Sequence, residues 1–192
     1  MAPPFVNQSC DPFFPRSADC IVGSYVTYSV KVEGPSDVTA GIKFASDNNI
    51  RLVIRKLASN VREKGKAHQH AGNTGHDFNG KSTGPGTLSL WMHHLKDIKF
   101  KEWSDKHYSG KAVKMGAGVQ GFEVNKAAFD QGLQVVTGSC PTVGIAGGYS
   151  QGGGHSALTS LHGMAADQVN THGRHPNQAN TADLNRSSNG RW

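Results

Sequence analysis

The sequence predicts an α+β fold of two small lobes. Three features predict it: a strand, helix, strand succession between Tyr25 and Arg55, a set of shorter strands with one helix between Thr87 and Gly138, and an ordered glycine-rich loop at 138–155. A chain of 192 residues can bury one core shared by two such lobes.

Tyr25-Val-Thr-Tyr-Ser-Val-Lys-Val32 alternates strand-favouring residues. Ser36-Asp-Val then opens a helix with a serine N-cap, carrying Val38, Ile42, Phe44 and Ala45 before Asn48-Asn49. Ile50-Arg-Leu-Val-Ile-Arg55 is the next strand, so the first lobe is a βαβ unit with a right-handed crossover. Thr87 to His94, Ala112 to Ala117 and Val135 to Gly138 read as further strands, and Gly121 to Gln131 as a helix ended by Gly132.

Two segments break this pattern. Residues 56–72 (KLASNVREKGKAHQHAG) have no sustained apolar period and read as an irregular insertion, and 169–192 read as a disordered tail. The expected organisation is thus a Pro-rich segment over 1–24, a folded body over 25–168 interrupted at 56–72, and the tail. The two irregular segments also hold most of the formal charge of +6. They contribute +3, from Lys56, Arg62, Lys64 and Lys66 against Glu63, and +2, from Arg174, Arg186 and Arg191 against Asp183. The body is close to neutral, which excludes a basic nucleic-acid face. No apolar run is long enough to span a membrane.

The most informative stretch is Gly138-Ser-Cys-Pro-Thr-Val-Gly-Ile-Ala-Gly-Gly-Tyr-Ser-Gln-Gly-Gly-Gly-His155. Gly144, Gly147, Gly148, Gly152, Gly153 and Gly154 carry no side chain to hold a ligand off the backbone, and Cys140 places one soft nucleophile at the head of the loop. Val143, Ile145, Ala146 and Tyr149 interrupt the glycines as a flexible linker would not require. Upstream, Asn73-Thr-Gly-His-Asp-Phe78 reads as a phosphate-cradling turn that the strand ending at Arg55 would feed directly if 56–72 were removed.

Other motifs are weaker. His68, His70, His76, His93 and His94 suit no zinc spacing. Gly80-Lys81-Ser82 lacks the earlier glycine of a phosphate loop. Gly148-Tyr149-Ser150-Gln151-Gly152 satisfies the nucleophile-elbow pattern but has no triad context.

The junction of Ile50–Arg55 with Asn73–Phe78, the run Leu88-Ser-Leu-Trp-Met-His-His-Leu-Lys-Asp-Ile98, the run Lys114-Met-Gly-Ala-Gly-Val-Gln120 and the Cys140 loop occur in one order. In that order the chain resembles the PCMH-type FAD-binding domain of the vanillyl-alcohol-oxidase-type flavoproteins, on the fungal branch similar to berberine bridge enzyme. The resemblance covers most of Cys10 to Gln168 outside the insertion.

The resemblance implies FAD as cofactor. It implies covalent bonds to the flavin through His76 and Cys140, contacts from Arg55, Asn73, Thr74, Gly75, Asp77 and Ser82 on one side, and Gly144, Gly147, Gly148, Gly152 and Gly153 on the other. Imidazole and thiolate are the side chains able to add to an electron-poor flavin. His155 either stands near the flavin or serves as a turn residue. The implied reaction is oxidation of an alcohol, amine or sugar-like substrate, with dioxygen reoxidising the flavin and with neither nucleic acid nor membrane as partner.

In such relatives the chain continues into a further strand and a substrate domain that supplies the catalytic base, so no catalytic residue is named here. The alternative is a truncated, non-catalytic remnant that at most binds FAD. Both irregular segments are expected to be translated introns. Relatives of this kind are commonly secreted. The Asn7-Gln-Ser9 sequon and an expected Cys10–Cys20 disulfide favour secretion of the full-length form, although no signal peptide precedes them.

Overall fold

A computed structural model describes residues 15, 17–19, 23–55 and 82–170. The Cys10–Cys20 pair, the 56–72 segment, the Asn73–Asp77 turn and the tail beyond residue 170 lie outside the described residues. The chain divides into two compact units, one running to Leu95 and the other starting at Lys96.

The first unit holds β1 (Tyr28–Lys31), α1 (Pro35–Asp47), β2 (Leu52–Arg55) and β3 (Leu88–Trp91). The three strands form a parallel sheet in the order β1-β3-β2, so β3 separates the two strands that α1 connects. The register is even, with Tyr28, Leu88 and Leu52 level at one end and Lys31, Trp91 and Arg55 level at the other. Leu88 and Leu90 share one face of β3, and Ser89 and Trp91 share the other, as strand alternation requires.

The expected serine N-cap is corrected. The cap of helix α1 stands two residues earlier, at Gly34, with Pro35 in the first turn, where its missing N–H costs nothing. The carboxylate of Asp37 accepts the Gly34 and Glu33 N–H groups at 3.1 and 2.8 Å. Gly41 and Ala45 are the buried positions of this helix, while Ile42 and Phe44 stay exposed. The reason is close approach, since a Cβ on Gly41 would stand 2.4 Å from Leu90 Cδ2. Asn49, at φ 52°, ends the helix in the left-handed conformation that asparagine tolerates.

The second unit is built on an antiparallel hairpin of β4 (Ile98–Ser104) and β5 (Ser109–Met115). Strand β4 was not anticipated: Ile98-Lys99-Phe100-Lys101 alternates, but Glu102 stands where the next apolar residue of that face would fall. Ile98 and Phe100 pair with Met115 and Val113 on one face, and that face supplies Ile98, Val113 and Met115 to the core. At the hairpin tip the Asp105 carboxylate accepts the His107 and Tyr108 N–H groups, both at 2.8 Å, and Trp103 Nε1 at 2.9 Å.

Helix α2 (Gly121–Phe129) follows, and Val119, Val124 and Ile145 make the buried centre of this unit. Gly132, at φ 69°, terminates the helical region as expected. The strand expected at Val135 to Gly138 is corrected. The segment belongs to no strand, and Val135 packs on the core from a loop. A short helix, α3 (Thr159–His162), and a 3-10 turn at Ala165–Gln168 complete the unit.

Candidate functional site

Of the expected cofactor residues, Asn73, Thr74, Gly75, His76 and Asp77 lie outside the described residues. Arg55 and Ser82 belong to the first unit and are not brought together. Arg55 closes β2 at the carboxyl end of the sheet, the end at which open parallel sheets bind ligands, whereas Ser82 precedes the loop entering β3 at the other end. That loop is fixed by Thr83, whose Oγ1 accepts the Val26 N–H at 2.7 Å, and by Thr87, whose hydroxyl donates to Gly84 O at 2.7 Å.

Arg55 is almost wholly buried, at 2% exposure, and desolvation lowers its pKa to about 10. Its Nε has no hydrogen-bond partner among the described residues, nor do the buried Ser89 Oγ and Trp91 Nε1 on the same face of the sheet. Among the described residues no carboxylate pairs with this desolvated guanidinium, which suits a ligand carrying anionic oxygens.

The second unit collects Cys140, Gly144, Gly147, Gly148, Gly152 and Gly153 in one stretch. Cys140 is exposed at a turn closed by the Val143 N–H donating to Cys140 O at 3.3 Å, and its Sγ lies 4.0 Å from Thr142 Oγ1. Gly144 and Gly147 are buried, and Gly144 bridges to Gln120.

The remaining glycines differ in what they do. A Cβ on Gly148 would meet nothing within 4 Å, so the backbone there opens on space. Gly152 donates its N–H to Gly148 O at 3.0 Å and Gly153 to Ser150 O at 3.1 Å, so both amides are engaged inside the loop. Gly153 and Gly154 have φ of 100° and 71°, and a Cβ on Gly154 would stand 2.7 Å from Ala165 Cβ. These two are glycines for the sake of the loop itself.

Tyr149 stitches the stretch together. Its hydroxyl is shared between Gly154 O and His155 O, each at 3.0 Å, and burial pushes the phenol pKa up, which keeps it the donor. Ser150 is buried and donates to Gly147 O at 3.1 Å, the position of a structural hydroxyl rather than an exposed nucleophile. His155 is exposed, with its carbonyl spent on Tyr149.

Sequence reasoning missed the groups that hold this stretch from beneath. Gln120, at 7% exposure, donates Nε2 to Thr142 O at 2.9 Å. The Glu123 carboxylate accepts the Gln120 N–H and Lys96 Nζ, both at 2.7 Å. The spacing Gln120-Gly-Phe-Glu123 carries the signal, because a glutamate three residues after the cap is the capping-box pattern.

The donor set fits a flavin dinucleotide. Taken separately, the first unit offers a buried cation at a strand end, and the second offers an exposed thiol at Cys140 and open backbone at Gly148.

Residues 66–171 match the family model described as FAD binding domain. The chain is 56% identical over 169 residues to the FAD-linked oxidoreductase ZEB1 of Gibberella zeae, covering 88% of this chain and 27% of that protein. It is 50% identical over 166 residues to a VAO-type flavoprotein oxidase of Thermothelomyces thermophilus, covering 86% of this chain and 26% of that one. Among solved structures it is similar to a VAO-type flavoprotein from Myceliophthora thermophila C1 crystallised at pH 5.0. The TM-score is 0.72 and the identity 49%, over 86% of this chain and 27% of that one. The chain therefore spans about a quarter of the length of the curated relatives it matches.

Proposed function

This chain belongs to the FAD binding domain family of VAO-type flavoproteins, and from that premise we propose that it is the flavin-holding part of an oxidase that carries its cofactor covalently. The observation that supports this reading best is the exposed Cys140 at the head of a loop whose backbone opens on space at Gly148. Bound FAD supplies hydride acceptance from an alcohol, amine or sugar-like carbon and reoxidation by dioxygen. The protein's own part is to bind and orient.

In this reading His76 and Cys140 are the two attachment points. Asn73, Thr74, Gly75 and Asp77 surround the pyrophosphate, Arg55 and Ser82 make separate cofactor contacts, and Gly144, Gly147, Gly148, Gly152 and Gly153 also line the cofactor. The Asn7 sequon and the Cys10 and Cys20 pair support secretion of the protein that carries this domain.

A second reading is favoured by one observation: residues 56–72 separate Arg55 from the Asn73 turn. There the chain holds FAD at most without turnover. An absorbance spectrum before and after acid precipitation tests the covalent reading. Flavin colour retained in the pellet is the expected result. Flavin released to the supernatant overturns covalent attachment, and a colourless purified protein overturns flavin binding by this chain.

A further inference from the structure

We propose that Gln120 and Glu123, with Lys96 behind them, are positioning residues for Cys140. The proposal rests on reading Cys140 as a flavin attachment point, and it assigns a task to three residues outside the expected set of cofactor contacts. The start of a helix leaves backbone N–H groups without intrahelical partners, and these are ordinarily taken by the cap side chain or by water. In α2 they are taken by the Cys140 loop.

The Phe122 N–H donates to Pro141 O and the Gly121 N–H to Val143 O, each at 2.9 Å. The carbonyl between them, Thr142 O, is taken by Gln120 Nε2 at 2.9 Å. Three successive carbonyls after Cys140 are thus bound by three donors from one helix start, which fixes the peptide planes of 141–143. With its carbonyls turned inward and its turn closed by the Val143 N–H, the loop presents Cys140 at the surface.

The grip depends on where Gln120 stands, and Glu123 sets that. Its carboxylate holds the Gln120 N–H at 2.7 Å and is itself held by Lys96 Nζ at 2.7 Å, while Lys96 also donates to Gly118 O at 2.8 Å. Lys96 therefore ties both sides of the turn leading into α2. Ile145 closes the far end of the loop by donating its N–H to Val119 O at 3.3 Å. The approach is close throughout, since a Cβ on Gly121 would lie 3.4 Å from Pro141 O. A partly shielded charge-assisted network of this kind holds geometry better than separate neutral bonds.

The test uses the full chain expressed with FAD in a His76→Ala background, where acid-stable flavin reports Cys140 alone. Gln120→Leu is expected to lower acid-stable flavin at least fivefold. Glu123→Ala should do the same, and Glu123→Gln, which keeps an acceptor opposite the Gln120 N–H, should restore at least half. Val113→Ala, which removes packing from the same core, shows what lost stability alone does and is expected to leave the linked fraction unchanged. A second measurement needs no flavin. The rate of Cys140 alkylation by iodoacetamide, read on its own peptide by mass spectrometry across pH, should change at least threefold in Gln120→Leu. Unchanged linkage and unchanged alkylation in Gln120→Leu overturn the proposal. A His76→Ala chain with no acid-stable flavin overturns the attachment reading instead, and the alkylation rates then decide whether these residues position the thiol.

Discussion

The two units manage their buried polar groups in opposite ways. In the first, the sheet face bearing Ser89, Trp91 and Arg55 buries three donor atoms that have no acceptor among the described residues. In the second, Gln120, Glu123, Lys96 and Ser150 all have short partners, most of them supplied by neighbouring loops. A buried donor without an acceptor costs roughly 1–3 kcal/mol, so the first unit is held by its apolar packing against that cost. The second is a loop scaffold that satisfies itself. What this teaches is that the surroundings of Cys140 are specified by local hydrogen bonding, while those of Arg55 are specified by a sheet whose strands come from distant parts of the chain.

The strongest way to break the comparison is to attack each unit by its own means of support. Leu90 is fully buried on the central strand, against α1 at Gly41. Leu90→Ala is expected to cost about 2–5 kcal/mol, because the sheet leaves a cavity that the helix cannot close. In the second unit Gly154→Ala combines a φ of 71° with a Cβ placed 2.7 Å from Ala165 Cβ and 2.9 Å from Tyr149 Cε1. It should cost about 1–3 kcal/mol through overpacking and strain. Urea unfolding followed by Trp fluorescence measures both, and a Leu90→Ala effect no larger than that of Gly154→Ala would show that packing does not dominate the first unit.

Much of this division was legible in the sequence. The βαβ succession was readable because Val30 and Val53 fall in strand-favouring runs, and α2 because Gly132 ends an apolar period. One element went unread and another was read wrongly, each for a physical reason. Strand β4 loses its alternation at Glu102, and Val135 to Gly138 has strand composition but belongs to no strand. At the site, glycine content marked the loop but not the division of labour within it. Whether a glycine faces space, as Gly148 does, or packs, as Gly154 does, depends on Tyr149 and Ala165, which lie outside any motif. The hold of Gln120 on Thr142 is a contact across 22 positions that spacing cannot show.

A matched pair of serine substitutions sharpens the comparison with a smaller effect. Ser89 Oγ is buried without a partner in the first unit, and Ser150 Oγ is buried and donates to Gly147 O at 3.1 Å in the second. Removing an unsatisfied hydroxyl removes a penalty, so Ser89→Ala should be neutral or raise stability by up to about 1 kcal/mol. Ser150→Ala removes one of the two bonds to Gly147 O, which keeps the Ser150 N–H as donor, and should lower stability by about 0.5–1 kcal/mol. Thermal unfolding by calorimetry reads the two signs directly. If both variants lose stability equally, Ser89 has an acceptor and the contrast between the units fails.

The smallest expected effect lies at the hairpin tip, where the second unit satisfies even an exposed group. Asp105 accepts Trp103 Nε1 and the His107 and Tyr108 N–H groups, and these bonds lower its pKa, led by the one from Trp103. A carboxylate depressed in the folded state adds stability that is fully present above its unfolded pKa of about 3.9 and is lost as pH falls through the lower folded value. The tip should therefore loosen only in strong acid. Solvent screens a fully exposed aspartate, so the change is local rather than global. Amide exchange at His107 and Tyr108, followed by NMR from pH 6 down to pH 2, should accelerate beyond the intrinsic rate only below the ordinary aspartate range, and Asp105→Asn should remove the pH dependence while keeping part of the protection. Protection that falls already between pH 6 and pH 5 would mean that the Asp105 carboxylate does not govern the tip.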